Sequence, residues 1–315
     1  MNKKISIILL NYNGYEDTIE CFESLQKVTY SNFNIVIVDN NSPDKSMDKI
    51  SNYMKEREID FTYQNYSDGL NQNNSFMNLI QSGSNGGYGH GNNIGIKYAL
   101  KNGAEYILLL NNDTLVDKEF LTPLIEYFED NKNIGILTSK IFYEDRPNIF
   151  WANGGSFNKK TGKIRHININ EKESGQINSS DCTFLSGCMW LIPKKIFTEV
   201  GYINEDYFMY VEDLEFCQRV ISVGYKLKVI SESKIWHKVG SSSGGELTKF
   251  SVYWRTKNYL KFMKDHVKIY YWPVHIFTNL FIFSINIIRN KKAILIKNQV
   301  QGIKDFFKEI NKGTL

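Results

Sequence analysis

Short apolar runs alternate with amphipathic stretches through the first half of the chain. The runs at 5–10, 33–38, 59–63 and 106–110 have the length and the residue content of buried strands. Segments 16–28 and 92–101 carry apolar side chains at helical spacing, and Ser42-Pro43-Asp44 supplies cap and first-turn residues for a further helix. Strands alternating with helices predict an α/β fold, in which helices cover both faces of a mainly parallel, Rossmann-like sheet.

The second half of the chain is less regular. Strands are predicted at 134–138, 141–143, 187–192 and 225–230, and helices at 247–266 and 293–310. Pro193 is placed to open one helix, and Glu212 opens another that runs to Gly224. Segment 65–78 is rich in Asn, Ser and Gln and is predicted to be an exposed insertion, and 240–245 a mobile loop.

Composition is that of a globular protein, with 42% hydrophobic and 23% charged residues in 315. The four cysteines form no Cys-x-x-Cys pair and no zinc-like spacing, which indicates reduced thiols in a cytoplasmic protein. The apolar run at 5–10 follows two lysines, but it is too short for a signal peptide and ends in Asn11. We interpret it as the first core strand.

The end of the chain is basic and contains a long apolar run. Residues 246–315 hold 13 Lys or Arg against 4 Asp or Glu, whereas the rest of the chain is mildly acidic. Segment 269–288 has twenty uncharged residues, opens with Tyr270-Tyr271-Trp272 and has cations at both ends. This pattern favours a membrane surface over nucleic acid as the partner. A spanning helix, a surface or re-entrant helix and a buried core helix all remain open, because Pro273, His275 and Asn279 interrupt the run.

Asn111-Asn112-Asp113 stands directly behind the apolar run at 106–110. Ligands of parallel sheets bind at the carboxyl ends of the strands, so Asp113 is a candidate ligand for a hard cation. Taken alone, the triplet fits an ordinary turn as well.

Segment 85–95 is rich in glycine and lies between a predicted strand and a predicted helix, where backbone amides could face a phosphate. It matches neither common phosphate-binding pattern. Ile94 replaces the third glycine of a dinucleotide fold, and Asn92 replaces the lysine of a Walker loop. The sequence therefore supports neither a nicotinamide enzyme nor an ATPase.

The order of these segments resembles that of the family 2 glycosyltransferases, and within them the rhamnosyltransferase-like branch. Six blocks between about residues 5 and 260 carry the resemblance: Ser6 to Gly14, Val38 to Asp44, Asn85 to Gly95, Leu110 to Asp113, Gly187 to Ile192, and Phe208 to Glu215 with His237.

The resemblance implies a GT-A fold. The C-terminal helical, membrane-associating segment is predicted from its own charge and apolar pattern. A catalytic domain would cover 1–245, with a nucleotide-sugar-binding half at 1–115 and an acceptor-binding half at 116–245, and the basic helical region would cover 246–315. The residues expected to bind the donor are Asn11, Asn13, Asp39, Asn85, Gly87, Asn92 and Asn112, with Asn11 and Asp39 at the base and ribose. For Asp39 a purely structural role in a capping turn is the alternative.

The resemblance also implies a divalent metal, Mg²⁺ or Mn²⁺, held by Asp113 and completed by His237. Asn111 replaces the first Asp of the family's Asp-x-Asp motif, so a metal site would depend on oxygens of the donor's diphosphate. Asp213 is expected to be the general base of an inverting transfer, and Glu212 to orient the acceptor or its loop.

The expected donor is dTDP-rhamnose or a UDP-hexose. The expected acceptor is a glycan or a polyprenyl-diphosphate-linked glycan in cell-surface polysaccharide synthesis. The enzyme would lie peripherally or anchored at the inner face of the cell membrane, and an oligomer is compatible with the sequence. A sugar nucleotidyltransferase is one alternative, but Asn11-Tyr12-Asn13-Gly14 lacks the basic loop which that class needs. The other alternative is a catalytically silent sugar-nucleotide-binding or assembly subunit.

Overall fold

In a computed structural model, the described residues are 3–175, 181–239 and 247–312. They form a mixed α/β structure around a central sheet with the strand order β3-β4-β2-β1-β5-β11-β7-β12-β6, in which β8 pairs with β7. The predicted loop at 240–245 lies outside the described residues.

The first half of the sheet is parallel throughout, as the alternation of strands and helices predicted. Its strands are β1 (Ile5–Asn11), β2 (Phe33–Asp39), β3 (Phe61–Asn65), β4 (Met77–Gln81) and β5 (Tyr106–Asn111). The helices are α1 (Tyr15–Leu25), α2 (Ser46–Glu56) and α3 (Gly87–Lys101).

The second half of the sheet mixes directions, because β11 runs antiparallel to both β5 and β7. Its strands are β6 (Thr114–Val116), β7 (Ile134–Tyr143), β8 (Phe150–Ala152), β11 (Met189–Pro193) and β12 (Lys226–His237), and β9 (Gly155–Phe157) with β10 (Ile164–His166) forms a separate hairpin. The helices are α4 (Leu121–Asp130), α5 (Lys194–Glu199) and α6 (Glu212–Ser222).

The chain ends in α7 (Lys249–His266), α8 (Trp272–Ile276), a π-helical turn (Phe277–Phe281), α9 (Ile282–Arg289) and α10 (Ile296–Asn311). Helix α7 packs Tyr259, Leu260 and Phe262 into the same hydrophobic cluster as Trp190 of the central sheet. The division between 1–245 and 246–315 stays a prediction, and α7 shares its core with the sheet.

Two hydrophobic clusters cover the two faces of the sheet, because alternate side chains of each strand point to opposite faces. Ile8 and Leu109 belong to one cluster, and Ile7 and Leu108 to the other. These central strands are buried on both sides, which explains their continuous apolar sequence.

Several predicted boundaries are wrong. Residues 134–143 form one strand, and the helix after Ser42-Pro43-Asp44 begins at Ser46. The segment 65–78 overlaps the buried strand β4, where Asn78 accepts a hydrogen bond from the Tyr98 hydroxyl at 2.7 Å. Pro193 caps α5 as predicted and is also the last residue of β11. The short strands β6, β8, β9 and β10 were not predicted.

The glycine-rich segment 85–95 is mostly helix rather than loop, since α3 begins at Gly87 and not at Asn92. Its glycines let the helix approach the body closely. A Cβ on Gly91 would lie 2.2 Å from the Leu10 Cδ1, and a Cβ on Gly95 would lie 2.6 Å from the Ile8 Cγ2. Close packing onto β1 therefore overrides the low helix propensity of glycine.

Candidate active site

Asp113 and His237 meet at the carboxyl end of the sheet. Asp113 follows β5, and His237 is the last residue of β12, where it pairs with Thr114 of β6. The Nε2 of His237 lies 3.2 Å from the Oδ1 of Asp113, and both side chains are at most 10% exposed. The backbone N–H of Lys238 donates to the carbonyl of Asp113 at 2.9 Å, which fixes the two segments together.

These two side chains fit a divalent metal. A carboxylate oxygen and an imidazole nitrogen suit Mn²⁺ and related ions. The Trp151 ring stands edge-on to the His237 ring at 4.6 Å and orients it. Across the described residues no group of three or more His, Cys, Asp or Glu side chains is placed to hold a metal. Asp113 and His237 are thus a pair of candidate ligands, and the dependence of a metal site on the donor's diphosphate stays a prediction.

Asn11 and Asp39 are brought together at the ends of β1 and β2, but both are fully buried. Asp39 accepts from the Asn11 Nδ2 and the Ser42 Oγ, each at 2.6 Å, and from the Gln81 Nε2 at 3.0 Å. These bonds tie the carboxyl ends of β1, β2 and β4 together. The backbone N–H of Asn13 donates to the Ser42 Oγ at 2.9 Å, and Asn13 is itself exposed.

Asn112 joins the first loop to the Asp113 segment, since its Nδ2 donates to the Thr18 Oγ1 at 2.9 Å and to the Gly14 carbonyl at 3.2 Å. Asn85 accepts from the Gly87 backbone N–H at 3.0 Å. Asn92 lies inside α3, where its Nδ2 donates to the Tyr88 carbonyl at 3.0 Å. Each of the three amides thus has a protein partner that explains its place.

The N-terminus of α3 abuts the turn before Glu212. The Tyr88 N–H donates to the Phe208 carbonyl at 3.0 Å, and a Cβ on Gly87 would lie 1.9 Å from that same oxygen. Gly87 has φ +86°, a conformation that side chains rarely adopt. The first amides of α3 therefore hold protein groups, which explains why this segment lacks a phosphate-loop pattern.

Two consecutive residues in the left-handed region lead into α6, namely Tyr210 with φ 68° and Val211 with φ 76°. A β-branched residue at such a φ is strained, and strain of this kind concentrates at functional sites. The turn formed by Tyr210 and Val211 places Glu212 and Asp213 in the first turn of α6, as the sequence predicted.

The two acidic side chains have different environments. Asp213 Oδ2 accepts from the Gly187 N–H at 3.4 Å and Oδ1 from the Leu214 N–H at 2.8 Å. Burial raises the pKa of Asp213 to about 6. Burial, with the nearby charge of Asp213, raises the pKa of Glu212 well above its usual range. Its Oε2 is buried and has no hydrogen-bond partner within the parts of the chain described here.

Gly187 and Cys188 connect the two acidic centres. Gly187 binds Asp213, and the carbonyl of the next residue, Cys188, accepts from the Asn111 N–H at 2.9 Å. The pKa of the Cys188 thiol is raised, chiefly by burial and then by the charge of Asp113. Asp113 and Asp213 therefore both lie near one short segment that leads into β11.

Two residues at this site, Tyr88 and Asn258, were not predicted from the sequence. The Tyr88 hydroxyl donates to the Gly187 carbonyl at 2.7 Å. The Asn258 amide of α7 donates to the carbonyls of Met209 and Tyr210 at 2.9 and 3.0 Å. From the sequence, Arg255 and Lys257 of α7 are candidates to meet a phosphate, with a solvated face as the alternative. Arg255 lies over the Tyr210 ring at 4.8 Å, and its charge offsets part of the rise that burial causes in the pKa of Asp213.

Known proteins are similar to this chain in sequence. The family described as Glycosyl transferase family 2 matches residues 6–201. The dTDP-rhamnosyl transferase RfbF of Shigella flexneri is 26% identical over 277 residues, which are 85% of this chain and 83% of that protein. The low-salt glycan biosynthesis hexosyltransferase Agl10 of Haloferax volcanii is 27% identical over 68% of this chain and 61% of its own length.

Two solved structures have a similar fold. The mannosyltransferase PcManGT from Pyrobaculum calidifontis, in complex with GDP-Man and Mn²⁺, aligns with a TM-score of 0.57 over 97% of this chain and 75% of that one, at 10% identity. TarS of S. aureus aligns with a TM-score of 0.52 over 84% of this chain and 40% of that one, at 15% identity. The expected GT-A fold is thereby confirmed.

The match of the family to well over half of the chain confirms the resemblance drawn from the six sequence blocks, and the similarity to RfbF confirms the rhamnosyltransferase-like branch. The chain belongs to glycosyl transferase family 2 and is a glycosyltransferase.

Proposed function

We propose that the chain is a metal-dependent, inverting glycosyltransferase that moves one sugar from a nucleoside-diphosphate donor to a glycan hydroxyl in polysaccharide synthesis. The observation that carries the proposal is that Asp113 and Asp213 both lie close to the same two residues, Gly187 and Cys188. A leaving diphosphate at Asp113 and an acceptor hydroxyl at Asp213 would then face one sugar carbon from opposite sides.

Asp213 is the proposed general base. Its pKa of about 6 leaves it ionised at neutral pH and still basic enough to accept a proton. In the transfer, the acceptor oxygen forms the bond to the anomeric carbon while the bond from that carbon to the diphosphate breaks. The hydroxyl proton goes to Asp213. Attack from the side opposite the leaving group inverts the anomeric configuration.

Asp113 and His237 are the residues that would hold Mg²⁺ or Mn²⁺, since their oxygen and nitrogen atoms lie 3.2 Å apart at the strand ends. When bound, such an ion neutralises the charge that develops on the departing diphosphate. The residues around them define the donor side. We propose that the exposed Asn13 contacts the donor, and that the hydrogen bonds of Asn11, Asp39 and Asn112 hold the strand ends beneath it. Asn85, directly before α3, and Gly87 and Asn92 within α3 complete the proposed donor side.

The donor sugar is proposed to be rhamnose on dTDP, with a UDP-hexose as the second choice, because RfbF is described as a dTDP-rhamnosyl transferase. The acceptor is proposed to be a glycan on a polyprenyl-diphosphate carrier. We infer that such an acceptor packs against Phe208, Trp254 and Phe250, whose rings contact one another beside the turn that leads to Asp213.

The first test is a thermal-shift screen of nucleotide sugars against the purified chain, with and without Mn²⁺. A donor that binds the folded state raises the unfolding temperature. With that donor, hydrolysis and transfer are then measured for wild type, Asp213→Asn and Asp60→Asn. Asp60 is exposed and precedes β3, at the opposite end of the sheet from the site.

Asp213→Asn is expected to bind the donor and to lose about 10²- to 10⁴-fold in turnover, while Asp60→Asn behaves as wild type. Full turnover by folded Asp213→Asn contradicts the assigned base. A wild-type chain that binds donor but neither hydrolyses nor transfers it would instead be a silent binding subunit.

A further inference from the structure

One face of the apolar helix, which we define as Ile269–Arg289, is uncovered. Its most apolar stretch of 18 residues has a mean hydropathy of 1.3, yet only 11% of that stretch is buried. Ile269 is 72% exposed, and further exposed side chains follow along the same helix: Tyr270, Val274, Ile276, Phe277, Phe281, Ile282 and Ile288. A core helix of a soluble domain would bury these side chains, so this alternative from the sequence is excluded.

The opposite face of the apolar helix is bound to the body at several levels. His275 is fully buried, and its Nε2–H donates to the Lys159 carbonyl at 3.0 Å. Asn279 donates to the Gly162 carbonyl at 3.0 Å and to the Tyr259 hydroxyl at 2.7 Å. One turn further on, the Ser284 hydroxyl donates to the Gln299 Oε1 of α10 at 2.7 Å, and Ile287 is fully buried.

These contacts explain why the polar residues His275 and Asn279 stand within the apolar run. Gly162 fits tightly beneath them, since a Cβ there would lie 2.4 Å from the Tyr259 hydroxyl and 2.6 Å from the Asn279 Nδ2. Asn279 and Ser284 are five residues apart, and the π-helical turn overlaps this step. A π-helical turn has more residues than an α-helical turn, so both side chains can face the body. A helix held in this way lies along the protein surface, whereas a spanning helix would have to break every one of these bonds.

Cationic residues flank the exposed face of the apolar helix. Lys268 stands at one end of the apolar helix, and Arg289, Lys291 and Lys292 stand at the other, all of them exposed. Tyr270 and Tyr271 lie beside Lys268. Exposed apolar side chains between cationic and aromatic ends match the surface of an anionic bilayer, where lipid headgroups neutralise the cations.

We propose that the apolar helix lies in the plane of an anionic lipid bilayer, with Phe277 and Phe281 inserted among the acyl chains and its polar face bound to the catalytic body. The exposed face of this helix then orients the enzyme on the membrane. The proposal rests on the described helix and its contacts and does not depend on the transfer reaction.

The test uses the full chain, purified and mixed with vesicles of phosphatidylcholine alone or with about one third phosphatidylglycerol, and followed by flotation. We expect binding to the anionic vesicles and little binding to the neutral ones. The variant Phe277→Glu/Phe281→Glu should lose at least about tenfold in affinity, and Lys268→Gln/Arg289→Gln/Lys291→Gln a comparable factor. Tyr63→Glu/Val223→Glu is the matched control, since these residues are similarly exposed on β3 and after α6.

Three results would overturn the proposal. Equal vesicle binding by the phenylalanine variant would exclude this face. Resistance of the bound chain to alkaline carbonate extraction would indicate a spanning helix. A wild-type dimer that the phenylalanine variant dissociates, without vesicle binding by either, would assign the face to a second copy of the chain. Donor binding, measured on the same samples, reports separately on the proposed transferase.

Discussion

The side-chain amide of Asn258 donates a hydrogen bond to the carbonyl of Tyr210 at 3.0 Å, and a second one to the carbonyl of Met209 at 2.9 Å. Asn258 is almost fully buried on α7, while Tyr210 occupies the left-handed turn before Glu212. On the other side of the same turn, Tyr88 and Gly87 of α3 contact the Phe208 carbonyl. The strained turn that places the proposed base is therefore clamped between two helices.

Asn258→Ala should reduce kcat about 10- to 100-fold while changing the donor KM little, because it releases the turn that positions Asp213 without touching the donor side. Two buried carbonyls would lose their partner, so the free energy of unfolding should fall by about 2 kcal/mol. Steady-state kinetics and urea unfolding measure the two effects. Asn52→Ala, at an exposed asparagine of α2, is the control. A fall in kcat that merely follows the folded fraction, measured on the same samples by circular dichroism, would point to general loss of structure instead.

Gly87→Ala should destabilise the protein more than Gly83→Ala. Both glycines have a positive φ, +86° and +80°, but only a Cβ on Gly87 meets another atom, the Phe208 oxygen at 1.9 Å. Gly83→Ala should cost about 1 kcal/mol for the backbone conformation alone, and Gly87→Ala about 3 kcal/mol or more for conformation and clash together. Urea unfolding measures both. Equal losses of unfolding free energy in the two variants would mean that the turn at Phe208 moves freely away from α3.

The raised pKa of Asp213 predicts opposite effects of pH on activity and on stability. Activity should rise through about pH 6 as the base ionises. In the unfolded chain Asp213 ionises at its ordinary pKa of 3.8, so the folded state binds the extra proton between pH 3.8 and about 6. Its contribution to stability is therefore lost as pH rises through this window, and Asp213→Asn should be more stable than wild type above pH 6, by up to about 3 kcal/mol.

Thermal unfolding at pH 5 and pH 8, together with a pH–rate profile, checks both signs. Asp60→Asn should keep the stability and the pH–rate profile of the wild type, because that aspartate is exposed and Asp213 is unchanged. An inactive Asp213→Asn that is less stable at pH 8 than wild type would contradict burial as the cause of the raised pKa.

The parts of this site that are local in sequence were predictable from sequence. Asp113 follows a fully apolar strand, and Glu212-Asp213 opens a helix, so periodicity and strand ends located them. The Asn258 clamp was not predictable, because its acceptors are backbone carbonyls 48 and 49 residues earlier. The start of α3 was missed for a related reason. Glycine lowers helix propensity locally, and only the nearness of Leu10 and Phe208 makes glycine necessary there.

Metal removal should abolish donor binding if Asp113 and His237 form half of a site that the diphosphate completes. In a chelator, the donor found in the screen should no longer raise the unfolding temperature, and Mn²⁺ should restore the shift. Asp113→Ala and His237→Ala should each weaken Mn²⁺-dependent donor binding about 10- to 100-fold in calorimetry. Asp60→Asn should bind as wild type. Equal donor binding in chelator and in Mn²⁺ would exclude metal dependence.

Glu212→Gln should remain active, in contrast to Asp213→Asn. Burial and the charge of Asp213 raise the pKa of Glu212 well above its usual range. We therefore predict that the neutral form of Glu212 is the working one, and a glutamine resembles that neutral form. Turnover should stay within roughly threefold of wild type, and the rise of activity near pH 6 should keep its position. If Glu212 were instead ionised beside Asp213, removing its charge would shift that rise to lower pH. The pH–rate profile of Glu212→Gln therefore tells which of the two carboxyl groups holds the proton.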